Sequence, residues 1–259
     1  MIHPTAIIDP SARLGARVTV GPYAVIEADT VIGDDCHIAA HAVIKRYAVL
    51  GAQVRVDHFS VVGGAPQDHS FDLSIRSGVR IGDRTVIREQ VTVHRATKPG
   101  EYTIVGEDCL LMATSHVAHD CILGRHVILA NSALLAGHVL VGDRAFVSGG
   151  AVVHQFCRIG SGSLTSGNGI ISHDVPPNTL VHARNLVAGL NLVGLRRRGV
   201  TLETIEELKR AYHEVYADAT NCATQARLAL DSGRFTHPET IAFLEFFLGG
   251  KRGRFASPE

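Results

Sequence analysis

The chain has 259 residues, of which 46% are hydrophobic, and its 25 Lys and Arg residues balance its 25 Asp and Glu residues. This composition is typical of a globular protein with a continuous core, and the balanced charge argues against a nucleic-acid-binding protein. No apolar run is long enough to span a membrane, and no signal peptide is recognisable. The five cysteines form no CxxC pair and are expected to be reduced, which favours the cytoplasm.

Aliphatic residues recur every six positions from the start of the chain. The first run is Ile2, Ile8, Leu14, Val20, Ile26, Ile32, Ile38, Ile44, Leu50, Val56 and Val62. The pattern resumes at Ile81 and continues, with one interruption, to Ile171. Neither an α-helix nor a single strand has a period of six, because their periods are 3.6 and 2.0. The repeat therefore indicates a coil of higher order.

Glycines add a second period of 18 residues. They are Gly15, Gly33 and Gly51, and then Gly106, Gly124, Gly142 and Gly160. Three hexapeptides per coil would place all of them at one corner, where a sharp bend tolerates a missing Cβ. The two periods together predict a triangular prism of stacked parallel strands.

Two segments interrupt the repeats and are predicted to leave the wall as loops, near residues 63–78 and 97–103. Pro176 and Pro177 are predicted to end the strand pattern, because proline donates no hydrogen bond to a ladder. We expect the β-helix to occupy residues 1–190 and a C-terminal α-helical domain to occupy residues 191–259. Thr201 is the expected N-cap of one helix, a second should cover 224–230, and a third should begin near Pro238.

The 18-residue period predicts which residues, although distant in the sequence, lie next to each other in the prism. Residues 18 apart lie one above another, about 4.8 Å apart. One such column contains His119, Gly137 and Gln155, and its neighbour contains Asp120 and His138. We expect His119 to point off the wall, with Asp120 orienting its ring and the Gly137 N–H available as an oxyanion donor. A base, a carboxylate and an N–H donor in one patch favour acyl transfer to a hydroxyl.

Three motifs resemble, in the same order, those of the UDP-N-acetylglucosamine O-acyltransferases. They are SHVAHDC at 115–121, LAGH at 135–138 and VHQFC at 153–157. The resemblance runs from Ile2 to about Phe255. It implies a left-handed parallel β-helix and a homotrimer with its active sites between subunits. It also implies transfer of a 3-hydroxyacyl chain from acyl carrier protein to the 3-position of UDP-N-acetylglucosamine, the first step of lipid A biosynthesis, without a cofactor or metal.

The resemblance also assigns roles to residues. It implies that His119 is the general base, that Asp120 orients it, and that Gly137 supplies the oxyanion N–H. The residues that match substrate contacts are Gln67, Asp68, His116, His138, His154, Gln155, Asn191, Arg197 and Arg198. The last three match the region that meets the nucleotide and the carrier protein. Gly167 matches the position that gauges acyl length, and a glycine there predicts a longer acyl chain.

Two departures from the family pattern concern the acceptor. Ser70 stands where the family usually has a lysine, and Val193 stands where a glutamate is common. Each lost charge would remove hydrogen bonds of about 1.5–3 kcal/mol. The sequence therefore leaves open a 3-amino UDP-sugar, which would give an amide.

Other classes remain as alternatives at this point. A zinc hydrolase of the γ-class carbonic anhydrase type uses histidines on a similar prism, and the 15 histidines favour it. An N-acyltransferase from later in the same pathway usually carries an additional N-terminal domain, for which the repeats leave no room. A scaffold protein without catalytic activity would tolerate loss of His119.

Overall fold

Three sheets, parallel except for one hairpin, form the walls of a prism in the computed structural model, which describes residues 1–218, 221–250 and 253–258. The first sheet contains Ile7–Ile8, Val25–Ile26, Val43–Ile44, Val61–Gly64, Thr92–His94, His116–Val117, Leu134–Leu135, Val152–Val153 and Ile170–Ile171. The second contains Arg13–Leu14, Val31–Ile32, Ala48–Leu50, Gly78–Ile81, Tyr102–Val105, Ile122–Leu123, Leu140–Val141 and Arg158–Ile159. The third contains Thr19–Val20, His37–Ile38, Arg55–Val56, Val86–Ile87, Leu110–Leu111, Ile128–Leu129, Phe146–Val147, Leu164–Thr165, Thr179–His182, Leu186–Leu190 and Ser257–Pro258.

The six-residue period has a direct structural cause. Each repeat supplies one short strand, and its aliphatic residue points into the prism. Val117, for example, pairs with Val93 of the preceding coil and with Leu135 of the following one, and all three are fully buried. Burial of such side chains contributes roughly 1.5–3 kcal/mol each. The predicted left-handed parallel β-helix is confirmed.

The corners of the prism correct one detail of the sequence analysis. The left-handed backbone conformation falls on the residue three positions after the aliphatic one, and that residue is usually not glycine. Asp120 has φ +60° and His138 has φ +61°. Gly33 lies two residues before such a position, and glycine is needed there for a different reason. An added Cβ would lie 2.5 Å from the Gly51 oxygen of the next coil. The periodic glycines therefore permit close approach of coils.

Both irregular segments leave the prism at the same edge. Residues 65–77 join a strand of the first sheet to one of the second, and residues 95–101 do the same one coil later. The two loops therefore emerge where the first sheet turns into the second. His119 and Gly137 lie at this edge in the following coils.

Strands continue beyond the two prolines, so the prediction that Pro176 and Pro177 end the pattern is wrong. Pro177 precedes Thr179–His182, which adds to the third sheet and forms an antiparallel hairpin with Leu186–Leu190. Proline is tolerated here because it lies at the corner before the strand. The chain returns at Ser257–Pro258 to pair with that hairpin.

Four α-helices occur within the described residues: Leu192–Arg197, Leu202–Tyr216, Cys222–Asp231 and Pro238–Phe246. The sequence analysis missed the first helix. Thr201 caps the second as expected, since its hydroxyl accepts a hydrogen bond from the Thr204 N–H. The domain limits 1–190 and 191–259 stay a prediction, and 219–220, 251–252 and 259 lie outside the described residues. None of the described helices is long and apolar enough to cross a membrane.

Candidate active site

His119 and Asp120 lie at the edge between the first and second sheets. The Nδ1 atom of His119 is 2.7 Å from the Oδ2 atom of Asp120. A carboxylate only accepts hydrogen bonds, so Nδ1 carries the proton and Nε2 keeps a free lone pair. The His119 side chain is 21% exposed and lies outside the prism, as expected. The arrangement leaves Nε2 of His119 facing away from Asp120, where it can accept a proton.

Asp120 is held in place by hydrogen bonds from one of the loops. The Thr97 N–H donates to Oδ1 at 3.0 Å, and the Thr97 hydroxyl donates to Oδ2 at 2.8 Å. Burial by itself would raise the pKa of Asp120, but the bonds from Thr97 and His119 outweigh it and lower the pKa. Asp120 is therefore ionised at neutral pH and holds His119 in one tautomer.

Gly137 lies directly beside the His119 ring. A Cβ built on Gly137 would be 2.5 Å from the Cε1 atom of His119 and 2.7 Å from its Nε2 atom. Within the described part of the chain, no group accepts a hydrogen bond from the Gly137 N–H. The condition for an oxyanion donor is thus met, because this N–H lies next to the base and outside the strand ladder.

A cavity of about 380 Å³ opens beside these groups. Its polar lining comes from Gln67, His94, His116, His119 and Gly137, and its apolar lining comes mainly from Leu134 and Val152. Small-molecule sites commonly combine a mostly apolar wall with a few convergent polar groups. The cavity can therefore hold a reacting group within reach of His119.

Two further histidines line the inner wall of this cavity. His116 is 2.7 Å from the Thr92 hydroxyl and meets the ring of His94 edge to face, with ring centroids 4.7 Å apart. His94 is only 8% exposed, and its Nδ1 has no hydrogen-bond partner among the described residues. Burial, and then the nearby charges of His116 and His119, lower the pKa of His94 to about 4.

This buried histidine predicts acid sensitivity. The pKa of His94 is about 4 in the folded protein and 6.5 ordinarily, so the unfolded chain takes up the proton first as the pH falls. Stability should therefore decrease from about pH 6.5 towards pH 4, by up to roughly 3 kcal/mol. We expect His94→Gln to lose less unfolding free energy than the wild type between pH 7 and pH 5, in denaturant titrations at one protein concentration. An equal loss in both proteins would contradict this origin.

The loop at 65–77 carries the two predicted sugar contacts. Gln67 lines the cavity, and Asp68 lies beside it. The Asp68 carboxylate accepts hydrogen bonds from the N–H and the hydroxyl of Ser70, at 2.8 and 2.7 Å. These two bonds, with smaller effects of His119 and His69, lower the pKa of Asp68. Ser70 therefore orients the carboxylate instead of placing a cation beside it.

His138, His154 and Gln155 complete the group at this edge. The His138 ring stacks on Phe156 at 4.6 Å and meets the His119 ring edge to face at 5.2 Å. His154 and Gln155 are exposed in the next coil.

The remaining predicted residues lie elsewhere on the chain. Gly167 is exposed at the edge between the third and first sheets. Asn191, Arg197 and Arg198 line a separate cavity of about 600 Å³ on the third sheet. Asn191 also caps the first helix, since its Oδ1 accepts a hydrogen bond from the Gly194 N–H. A single chain does not bring these four residues to His119.

Sequence reasoning missed Thr97 and left His94 out of the site. His94 begins no column of polar residues, and Thr97 lies in a loop without periodicity. The only signal for these residues was their position. His94 ends a strand of the first sheet and Thr97 follows that strand, one coil before His119 and at the same edge.

Three side chains of this site could also hold a metal ion. His119, Asp120 and His138 each offer a ligand atom, and these atoms lie within 4.8 Å of one another. However, the carboxylate of Asp120 already accepts three hydrogen bonds, from Thr97 and His119. His119 Nδ1 is used in one of them. The set is therefore better suited to proton transfer than to holding a cation.

Comparison with protein families gives two matches. Residues 174–255 match the model described as UDP-N-acetylglucosamine O-acyltransferase, domain 2, and residues 11–46 and 102–137 match the bacterial transferase hexapeptide model. The chain is 46% identical over 255 residues to the acyl-[acyl-carrier-protein]–UDP-N-acetylglucosamine O-acyltransferase of Xanthomonas oryzae pv. oryzae, covering 97% of this chain and 96% of that protein. It is 41% identical to the protein of the same name from Janthinobacterium sp., covering 98% of each.

Comparison with solved structures shows similarity to the same kind of enzyme. The UDP-N-acetylglucosamine acyltransferase from Campylobacter jejuni superposes with a TM-score of 0.92 at 34% identity, covering 100% of both chains. The corresponding acyltransferase from Acinetobacter baumannii gives 0.93 at 34% identity, covering 98% of this chain and 99% of that one. The similarity thus extends over the prism and the helices together.

Proposed function

Because the chain belongs to the UDP-N-acetylglucosamine O-acyltransferase family, we propose that it transfers a 3-hydroxyacyl group from acyl carrier protein to the 3-hydroxyl of UDP-N-acetylglucosamine. This is an acyltransferase of lipid A biosynthesis. The observation that carries the finer proposal is the contact set of His119, Asp120 and Gly137. We expect it to act in the cytoplasm, where its five buried cysteines stay free thiols.

The proposed mechanism uses general-base catalysis. His119 Nε2 takes the proton of the sugar hydroxyl while the hydroxyl oxygen attacks the thioester carbonyl carbon. The Gly137 N–H donates a hydrogen bond to the carbonyl oxygen as it becomes an oxyanion. The C–S bond then breaks, the proton passes from His119 to the leaving thiolate, and an ester remains. Asp120 stabilises the imidazolium that forms between these steps.

The proposed function requires a homotrimer. Within one chain, His119 lies at one edge, while Asn191 and Arg197 belong to the first helix and line the cavity beside the third sheet. A neighbouring prism can bring its third sheet to that edge and complete the site. Exposed apolar side chains near the edge are available for such a contact, since Leu134 is 42% and Leu140 is 42% exposed. We therefore expect a monomer to be inactive.

One assay tests the proposal. The protein is given UDP-N-acetylglucosamine or its 3-amino analogue, with a series of acyl-carrier thioesters or with acyl-coenzyme A. We expect turnover with 3-hydroxyacyl-carrier thioesters and the hydroxyl acceptor. A clear preference for coenzyme A would overturn the donor. Preference for the amine would replace the ester product by an amide, the alternative that Ser70 and Val193 leave open.

The metal content of the purified protein distinguishes the proposed acyltransferase from the zinc hydrolase. The cluster of His119, Asp120 and His138 is the specific observation that favours a zinc enzyme. We expect the purified trimer to retain full transferase activity after dialysis against a chelator. Stoichiometric zinc together with loss of activity on chelation would support the hydrolase instead.

Gly167 is proposed to set the acyl length. The position is open, because a Cβ built there would have its nearest neighbour, the Gly149 oxygen, at 3.5 Å. Gly167→Met should therefore fold normally and shift the preferred donor to a shorter chain by several methylenes. We expect kcat/KM for the longest good substrate to fall about 100-fold, since blocked methylenes lose about 0.8 kcal/mol each. An unchanged preference across the acyl series would refute the role of this position.

A further inference from the structure

The loop at 65–77 buries little apolar surface. Between positions 67 and 76 only Phe71 and Ile75 are half-buried, and the other side chains are exposed. A cavity of about 330 Å³ opens beside Leu73, which leaves part of the loop without close packing. A segment with so few buried contacts is not held in one position by packing alone.

The two ends of this loop are tied by backbone hydrogen bonds to the loop at 95–101. The Arg95 N–H donates to the Gly64 oxygen at 2.8 Å, and the Gly100 N–H donates to the Arg76 oxygen at 2.9 Å. Within the described part of the chain, no backbone bond from the loop at 95–101 reaches residues 67–75. The ends are therefore fixed, and the middle of the loop needs another support.

The side chain of Arg95 supplies that support. Its Nη1 atom donates to the Ile75 oxygen at 2.7 Å, and its Nη2 atom donates to the Leu73 oxygen at 3.0 Å. Its guanidinium also lies over the Phe71 ring, 5.0 Å from the centroid. Among the residues that the structure describes, no other side chain from outside the loop hydrogen-bonds to residues 67–75.

Arg95 is a buried cation without a carboxylate partner. It is 8% exposed, and among residues 1–218, 221–250 and 253–258 no Asp or Glu forms an ion pair with it. Burial, as the largest effect, lowers the pKa of Arg95. A buried charge costs free energy that hydrogen bonds must offset, and here two carbonyl oxygens provide them. The planar guanidinium suits this place because it can serve two carbonyls and stack on a ring at once, whereas an ammonium is a point charge.

The supported segment leads directly to the two proposed sugar contacts. The Phe71 N–H donates to the Asp68 oxygen at 3.1 Å, which closes a turn between the stacked ring and the carboxylate. Gln67, the preceding residue, lines the cavity beside His119. A displacement of Phe71 would therefore move Asp68 and Gln67 relative to the base.

We propose that Arg95 is a positioning residue that fixes the loop at 65–77 so that Gln67 and Asp68 meet the acceptor sugar beside His119. The inference rests on the proposed function, because it concerns the acceptor site of that reaction. Arg95 acts on the sugar through the backbone of residues 71–75. Its loss should weaken acceptor binding and leave the chemical step and the donor nearly unchanged, since a loosened loop must be ordered by the sugar itself.

Steady-state kinetics of the full-length protein test this role. We expect Arg95→Met to raise KM for UDP-N-acetylglucosamine about tenfold, with kcat and KM for the acyl-carrier thioester within about twofold of the wild type. Arg95→Lys should restore only part of the affinity, because it keeps the charge but loses the fork and the stacked face.

Arg76→Met is the matched control. Arg76 belongs to the same loop and also lies over an aromatic ring, that of Tyr47, at 5.2 Å from the centroid. Its backbone is already held by the Gly100 N–H, so loss of its side chain removes no support from residues 67–75. We expect KM for the acceptor to stay within about twofold of the wild type in this variant.

Phe71→Leu covers the case in which Arg95→Met does not fold, because it removes the stacking partner from the loop and leaves the prism intact. We expect it to raise KM for the acceptor about threefold. Hydrogen exchange without substrates follows the loop directly. The Ile75 amide should exchange about tenfold faster in Arg95→Met, and amides of residues 95–101 should exchange as in the wild type.

The outcomes separate the role of Arg95 from the proposed function. An unchanged KM for the acceptor in both Arg95→Met and Phe71→Leu overturns the positioning role, even if the protein transfers acyl groups. A fall in kcat at unchanged KM, or unchanged exchange in the loop, also overturns it. If the wild type transfers no acyl group, the proposed function fails. Calorimetric binding of UDP-N-acetylglucosamine that Arg95→Met weakens about tenfold would then still support the role of Arg95.

Discussion

Replacing His119 by alanine is expected to lower kcat about a thousandfold while the protein keeps its fold. A positioned general base contributes typically 10²- to 10⁴-fold to rate. The side chain is 21% exposed and packs against Gly137, so its removal leaves the aliphatic core of the prism untouched. Turnover with the acyl-carrier thioester and the melting temperature measure the two effects separately.

A control distinguishes loss of the base from loss of any histidine. His126 lies exposed at another corner, between the second and third sheets, two positions after Gly124. His126→Ala should therefore keep wild-type turnover. If His119→Ala retained more than a tenth of wild-type kcat, His119 would not be the base, and the catalytic proposal would fail with it.

Gly137→Ala is expected to have the second-largest effect, a fall in kcat of about 100-fold. The new Cβ would lie 2.5 Å from Cε1 of His119 and 2.7 Å from Nε2, so the ring must move. Displacement of a catalytic group by about 1 Å costs roughly 10²-fold. The N–H of residue 137 remains, so the loss reports the position of the imidazole.

Gly149 supplies the matched substitution. It occupies the same place in its hexapeptide at the edge between the third and first sheets, and a Cβ there would have its nearest neighbour, the Asn131 oxygen, at 3.3 Å. We expect Gly149→Ala to retain nearly full activity. Equal activity of the two alanine variants would show that the contact between residue 137 and His119 does not matter for turnover.

The centre of the site could be predicted from the sequence because the regular coil fixes the position of each residue from its number. His119 and Gly137 are 18 residues apart, and that spacing alone placed them one above the other. The same arithmetic placed His138 beside Asp120. Regular hydrogen bonding between coils makes such columns reliable, since each strand pairs in register with the next.

Non-periodic parts could not be predicted in this way. Thr97 orients Asp120 from a loop whose path depends on its own turns and on contacts made after folding. The first helix was missed because it has only six residues and begins at Leu192, directly after a strand. Pro177 was misinterpreted as an end because its position at a corner, where no ladder bond is needed, depends on the preceding coil.

The shared corner of the two loops has a consequence for how this gene can change in length. Residues inserted at that corner form a loop outside the prism and do not rotate the coils that follow. Residues 65–77 and 95–101 are accommodated in this way. A duplication of one whole coil would only lengthen the prism. An inserted single hexapeptide within a wall would turn everything downstream by a third of a revolution and carry His119 to a different face. Insertions and deletions in descendants of this gene should accordingly concentrate at the corners or come in multiples of 18 codons.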